Sequence, residues 1–441
     1  MSKYIFIFLI CFGSMRAQTF DTSKMDSLFN LLDNNSKGMG SFSIFSKGNE
    51  IYKKSFGFSD VSNNIRANNF TKYRIGSITK TFTATVIMQL VEERKISLNT
   101  LLSDYFPEIP NADKITIENL LRHQSGLFNI TSDENLTEWM TEPQTRNKMI
   151  ERIIKNGSIF EPKEKTEYSN TNYVLLSYIA ENIDGKDFRN ILDTRIIKPL
   201  HLERTEFGKR INPANNEALP YDFTNSEWKL IETQTDMSLP MGAGAIVSTP
   251  TELNIFFNNL FSGNLISVTS LSKMEDAQDG IGLGLMKLPL GDKEVYGHGG
   301  SIDGFQSFAA YFPKEKISLT LTTNNLYTQA SNIFIGAVQI YFGMDYKLPN
   351  FSPIKTIPLS SEELDVYLGK YGSPDFPIGI TITKDGNTLI AQGDGQSSFP
   401  ISAIEKDTFY SENIMITLKF LPDQKKMIVE QGGQTFELIK E

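Results

Sequence analysis

The 441-residue sequence is short of the residues that build disulfide and metal frameworks: one cysteine and three histidines. With Cys11 alone, no intramolecular disulfide can form. His123, His201 and His298 include no close pair at ligand spacing, so neither a metal site nor a cofactor is expected. Basic residues are also scarce, 43 against 52 acidic, for a net charge of −9. A nucleic-acid binder carries a basic excess, so that class is set aside. After the first segment, no apolar run approaches the roughly 18 residues of a membrane-spanning helix, and no transmembrane anchor is expected in the mature chain. No serine sits in Gly-x-Ser-x-Gly, which removes the α/β-hydrolase nucleophile elbow. Gly280-Ile281-Gly282-Leu283-Gly284 has its third glycine one residue early for a dinucleotide fingerprint, and no βαβ unit follows it.

What is present is an ordinary globular composition, 40% hydrophobic and 22% charged, in a chain longer than one typical domain. Lys3, the apolar run Tyr4 to Phe12 and the small residue Ala17 form a secretory signal peptide over residues 1–17, which predicts a periplasmic or secreted protein. Ile10 before Cys11 is not the small residue of a lipoprotein signal. Met25, Leu28, Phe29 and Leu32 recur at helical spacing. Phe42 to Phe45 and Ile51 to Phe56 read as strands around a Lys47-Gly48-Asn49 turn. A helix follows from about Thr79 to Lys95, and residues 100–240 read as mainly helical. Strands return at Ser307 to Phe312 and Ile317 to Thr323, and Asn332 to Tyr341 closes the region as a helix.

Pro349, Pro353 and Pro358 mark a linker over 348–360, between a first domain, 18–347, and a second, 361–441. Beyond it, Ile378 to Thr383, Thr388 to Gln392, Ile414 to Phe420, Lys426 to Glu430 and Thr435 to Ile439 are short strands. Turns such as Asp385-Gly386-Asn387 and Gly432-Gly433 separate them, so the second domain is expected to be all-β.

Three segments carry chemistry. In Ser77-Ile78-Thr79-Lys80 the serine and lysine share one helix face. A serine hydroxyl becomes nucleophilic when a neighbouring base takes its proton, and a lysine can be that base once burial lowers its pKa. In Tyr168-Ser169-Asn170 the tyrosine can carry protons and the asparagine offers a donor and an acceptor to a substrate amide. In His298-Gly299-Gly300-Ser301 the glycines let a substrate backbone approach, and the histidine can meet a carboxylate or assist proton transfer. Each segment alone also fits a bland reading: a capped helix, a packed tyrosine, a glycine turn.

Taken in this order, the three segments resemble the serine β-lactamase and penicillin-binding protein family. The likeness is to the branch of class C β-lactamases, D-alanyl-D-alanine carboxypeptidases, D-aminopeptidases and related esterases. Leu120-Leu121-Arg122-His123-Gln124-Ser125-Gly126-Leu127, Lys198-Pro199-Leu200 and Ser248-Thr249-Pro250-Thr251-Glu252-Leu253 match it too, over roughly residues 20 to 345. The resemblance implies an α/β (α+β) fold: an antiparallel sheet with flanking helices, built from both ends of the catalytic region, and an inserted helical subdomain. It implies that Ser77 is acylated, that Lys80 and Tyr168 move protons, and that Asn170 binds the substrate amide. His298 takes the place of the lysine in Lys-Thr-Gly, with Gly299, Gly300 and Ser301 lining the cleft. The backbone N–H groups of Ser77 and Ser301 form the oxyanion hole. A charged Lys80 is expected to lower the Tyr168 pKa, and a partly neutral His298 to read the substrate's carboxylate.

Histidine at that place points to a D-aminoacyl peptidase or carboxypeptidase-like enzyme acting on a small molecule or peptide with an amide or ester carbonyl. The alternatives are a carboxylesterase, a weak β-lactamase, or a penicillin-binding sensor acylated once without turnover. Tyr367-Leu368-Gly369-Lys370-Tyr371 in the tail resembles the start of a lipocalin-like barrel.

Overall fold

The structure, a computed structural model, describes residues 20–441 apart from 225, 289, 291–292, 352–354, 375, 413 and 432–433. The signal peptide, Pro353 and the Gly432-Gly433 turn lie outside the described residues. The chain packs as two units, one made of Gly38–Leu288 with Glu294–Leu326, the other of the segments before Gly38, at 289–293 and from Tyr327 onward.

The first unit holds a six-stranded antiparallel sheet. Its strands are β1 (Gly38–Ser46), β2 (Asn49–Phe56), β3 (Met286–Lys287), β4 (Tyr296–Ile302), β5 (Phe305–Phe312) and β6 (Ile317–Leu326), in the order β3-β4-β5-β6-β1-β2. Two strands therefore come from before the helical segment and four from after it, as the resemblance implies. Strand β6 alternates Ile317, Leu319 and Leu321 with Ser318, Thr320 and Thr322, and both rows are buried. Burying a hydroxyl row is tolerable only if it is hydrogen-bonded. The helix Pro250–Phe261 does this for two of the three: Asn258 Nδ2 donates to Ser318 Oγ (2.7 Å) and Thr320 Oγ1 donates to Asn254 Oδ1 (2.8 Å), while Thr322 Oγ1 is left without a partner. The Thr249-Pro250 pair starts that helix, with Thr249 Oγ1 accepting from Glu252 N and proline in the first turn.

Between the two halves of the sheet lie the helices Ile117–Leu121, Arg146–Asn156 and Asn170–Asp184, each with a start signal in the sequence or a glycine past its end. The expectation of a mainly helical 100–240 needs one correction. Tyr221–Thr224 and Glu227–Leu230 form a hairpin, whose short strands carry too few residues for a period to show. The helix expected to reach Lys95 ends at Glu92, and Arg94 turns to φ 58°.

In the second unit, Met25, Leu28, Phe29 and Leu32 are the buried face of helix Thr22–Asn34. The tail is a closed eight-stranded antiparallel barrel of β7 (Gly369–Ser373), β8 (Phe376–Asp385), β9 (Thr388–Gly393), β10 (Phe399–Glu405), β11 (Thr408–Ser411), β12 (Ile416–Leu421), β13 (Lys426–Gln431) and β14 (Gln434–Lys440). Tyr371 paired with Lys440 closes it. Leu389, Ala391, Leu418, Phe420, Met427, Val429 and Leu438 fill its core. Part of the expected linker belongs to it: Ile357 N donates to Ala403 O, and Ile357 and Leu359 pack on the barrel core.

Candidate active site

Ser77 lies in a 3-10 turn, Gly76–Ile78, that runs straight into the helix Thr79–Glu92. Every residue of that helix from Thr79 to Met88 is buried, so its polar side chains need internal partners. Thr81 Oγ1 donates to Gly284 O and Thr83 Oγ1 to Gly242 O, each within 2.8 Å. Lys80, one residue ahead, points its amine at three atoms. Asn170 Oδ1 is at 2.7 Å, Ala243 O at 2.8 Å and Ser77 Oγ at 3.0 Å.

Two of those three atoms can only accept. The Asn170 amide is oriented by its Nδ2 donating to Thr131 Oγ1 (2.8 Å), which leaves Oδ1 toward Lys80. Burial drives the Lys80 pKa well below its ordinary value. A neutral amine has two N–H groups and one lone pair. Nζ donates to Ser77 Oγ as it does to Asn170 and Ala243. Once it gives up a proton, two N–H groups can stay on Asn170 and Ala243 and the lone pair can turn to the Ser77 hydroxyl.

Tyr168 and Asn170 flank Ser169, the N-cap of helix Asn170–Asp184. The Tyr168 ring lies 4.8 Å from Lys80 Nζ and stacks on His123, ring centroids 4.3 Å apart. Its phenol is raised above the ordinary tyrosine value by burial, while a hydrogen bond with Ser77 works against that shift. This corrects the expectation of an acidified phenol: desolvation of the buried ring outweighs the Ser77 hydrogen bond.

His298 brings a second correction. Its side chain is buried, and Nδ1 meets the Gly299 carbonyl at 2.6 Å. Burial first, then the neighbouring Lys80, pull its pKa down to about 3. The residue is neutral at pH 7 and offers no charge to a carboxylate. Its ring lies 6.2 Å from that of Tyr168.

Gly300 also serves the protein rather than an incoming backbone. A Cβ there would sit 2.0 Å from Ile75 O, and one on Gly76, at φ 51°, would sit 2.7 Å from Ser301 N. Strand β4 can therefore lie against the segment before Ser77 only because both positions are glycine. Ser301 and Ser77 then face one cavity of about 240 Å³. Gly76, Asn170, Gly244 and Thr131 also line it, and its apolar wall includes Ile130, Leu136, Met140, Val174, Leu239 and Pro240.

The structure thus brings Ser77, Lys80, Tyr168 and Asn170 together, sets Ser301 beside them, and leaves His298 behind. Sequence reasoning did not single out His123, at φ 57°, whose Nδ1 accepts from Ser169 N (3.1 Å) under the Tyr168 ring. Its only signal was its place in the Leu120-to-Leu127 motif. The Ala243 carbonyl carried no signal, because any residue type supplies one.

The model of the β-lactamase family matches residues 32–336. The chain belongs to that family, whose members include hydrolases and penicillin-binding proteins. It is 26% identical to Protein flp of Staphylococcus aureus (strain MRSA252) over 295 residues, which is 64% of this chain and 58% of that protein. The chain therefore spans well under two thirds of flp's length. It is 27% identical to a putative penicillin-binding protein, PbpX, of Bacillus subtilis (strain 168), covering 66% of this chain and 71% of that one.

Among solved structures, the D-amino acid amidase of Ochrobactrum anthropi SV3 complexed with D-phenylalanine superimposes at a TM-score of 0.61. The match has 26% identity and covers 69% of this chain and 92% of the amidase. The octameric penicillin-binding protein homologue of Pyrococcus abyssi shares the fold over 95% of this chain and all of its own, at a TM-score of 0.66 and 22% identity. No described helix is long and apolar enough to cross a membrane.

Proposed function

We propose that this protein is an exported serine hydrolase that works through an acyl-enzyme on Ser77. The observation that carries the reading is the Lys80 amine, its two N–H groups committed to Asn170 and Ala243 and its third position 3.0 Å from Ser77 Oγ. In acylation Lys80 takes the Ser77 proton as Oγ attacks the substrate carbonyl. The backbone N–H groups of Ser77 and Ser301 stabilise the oxyanion. Tyr168, kept protonated by burial, gives its proton to the leaving group and regains one from Lys80. Water then hydrolyses the ester by the reverse path.

The cavity favours an acyl group with an apolar side chain and no carboxylate. Among its described lining residues there is no lysine, arginine or histidine, the one charged residue is Asp303, and eight are aliphatic, methionine or proline. A D-aminoacyl amide or peptide, or a neutral ester, fits this better than a carboxypeptidase substrate, whose free carboxylate finds no cation. The likeness to a D-amino acid amidase supports the amide over the ester.

A fluorophosphonate probe with peptide mapping tests the nucleophile. Adduct on Ser77, lost in Ser77→Ala together with activity, is expected; adduct on another serine overturns the reading. A panel of D-aminoacyl amides, short esters, D-aminoacyl dipeptides and nitrocefin sorts the substrate. A single burst without turnover on every substrate would instead mark a sensor. Amino-terminal sequencing of the protein from culture medium or periplasm, starting at Gln18, tests export.

A further inference from the structure

Two residues beside the cavity, Asp303 on its wall and Arg74 behind it, form an ion pair that the acyl-transfer reading does not use. Arg74 lies three residues before Ser77, and Asp303 two after Ser301. Their side chains are only 2% and 3% exposed. The Arg74 guanidinium bonds the Asp303 carboxylate through Nη1, which also donates to Thr235 O (3.1 Å), while Nη2 donates to Lys209 O (2.9 Å). Thr235 completes the ring by donating Oγ1 to Asp303 Oδ1 at 2.6 Å. Thr235 and Asp303 both line the cavity.

Asp303 sits in the two-residue turn between β4 and β5, at φ 49°, followed by Gly304 at φ 84°. Positive φ at both positions is the tight hairpin turn that Asp-Gly favours. The turn fixes where β4 ends, and hence where Ser301 is. Arg74 belongs to the short strand Tyr73–Arg74, whose chain continues directly into the Gly76–Ile78 turn. One buried pair therefore ties the strand that leads into Ser77 to the turn that follows Ser301. The backbones it joins already touch at Gly76 and Ser301.

Resting on the Ser77 reading, we propose that the Arg74–Asp303 pair is a positioning element that sets the separation of the Ser77 and Ser301 backbone N–H groups, and so tunes the oxyanion hole. An interaction felt in the transition state alone changes kcat and leaves KM in place. A misplacement of about 1 Å at a reacting centre costs roughly 10²-fold.

The experiment uses Arg74→Met with Asp303→Leu, since a buried pair exchanged for apolar residues together often keeps stability where either change alone does not. Asp303→Asn is the second variant; it keeps the side chain's shape and its bond to Thr235. Both are measured for kcat and KM on a p-nitrophenyl ester, for the affinity of a phenylboronic acid that mimics the tetrahedral intermediate, and for melting temperature. At temperatures where each variant is folded, kcat and boronate affinity are expected to fall together, about 10–100-fold in the double variant and less in Asp303→Asn. KM should stay within about threefold. Wild-type kcat and boronate affinity in either folded variant, or a raised KM at unchanged kcat, overturns the proposal. Should the double variant not fold, Asp303→Asn decides on the same readings. Boronate affinity unchanged in Ser77→Ala is a different failure: it overturns the serine reading itself, whatever the Arg74 variants do.

Discussion

The interior of the barrel and the interior around Ser77 are built on opposite principles. The barrel buries Leu, Ile, Val, Met and Phe and leaves its ion pairs half in water, such as Lys426–Glu437 and Lys370–Asp394. Around Ser77 the chain buries Lys80, His123, His298 and the Arg74–Asp303 pair. Burying ionisable groups costs stability unless they are neutral or paired, and here the pKa values of the amine and both imidazoles are driven down while the arginine is paired. The contrast teaches where each kind of energy is spent: apolar area for holding the barrel, shifted titration for preparing chemistry.

The sharpest way to break the contrast is at the proton pair. Lys80→Ala and Tyr168→Phe should each lower kcat/KM about 10³-fold or more, and the double variant should be no worse than the poorer single. Multiplying losses in steady-state kinetics would show two independent roles. Wild-type activity should rise with pH on an acid limb far below lysine's ordinary 10.5, because Lys80 must lose its proton to act. A limb at or above that value contradicts a neutral amine.

The converse holds in the barrel. Leu418 is fully buried, so Leu418→Ala should cost about 2–5 kcal/mol by denaturant unfolding while kcat of the folded protein at 25 °C stays at wild type. A drop in kcat without unfolding would join two regions that the comparison separates.

A smaller effect separates the regions by pH. His298 has a folded pKa of about 3 against an ordinary 6.5, so below pH 6.5 the unfolded chain binds a proton that the folded one refuses. Stability should therefore fall as pH drops from 6.5 toward 3, by at most about 1.4 kcal/mol per pH unit from this group. His298→Gln should flatten that slope in urea titrations at pH 6.5, 5 and 4; an identical slope means the imidazole titrates freely. Smallest of all, Lys426→Ala on the barrel surface should cost about 0.2–1 kcal/mol, vanishing in high salt.

Much of this was legible beforehand where a period or a local rule governs. The strand at Ile317 to Thr323, the Met25, Leu28, Phe29 and Leu32 helix face and the Ser77/Lys80 pair all follow from spacing along one element. The short barrel strands β7, β10 and β11 did not show, because glycine, proline and turn residues interrupt their alternation. The hairpin at Tyr221–Thr224 escaped because each of its strands has only four residues. In the site, residue types were readable and their states were not. Whether Tyr168 is acidified, or His298 charged, depends on how many layers of protein cover them. The glycines of β4 read as room for an incoming substrate, because nothing local tells that Ile75 lies against Gly300 and Ala309 against Gly297.

The closure of the barrel through Tyr371 and Lys440 has a consequence for how the polypeptide tolerates shortening. β14 is hydrogen-bonded on one side to β13 and on the other to β7, so it hides the backbone edges of both. Deleting Gln434–Lys440 removes one strand and uncovers two edges at once. Each is a row of unpaired N–H and C=O groups able to recruit a second polypeptide. A protease nick or premature stop in this last strand should thus turn a self-contained cylinder into an adhesive sheet, visible as self-association in light scattering.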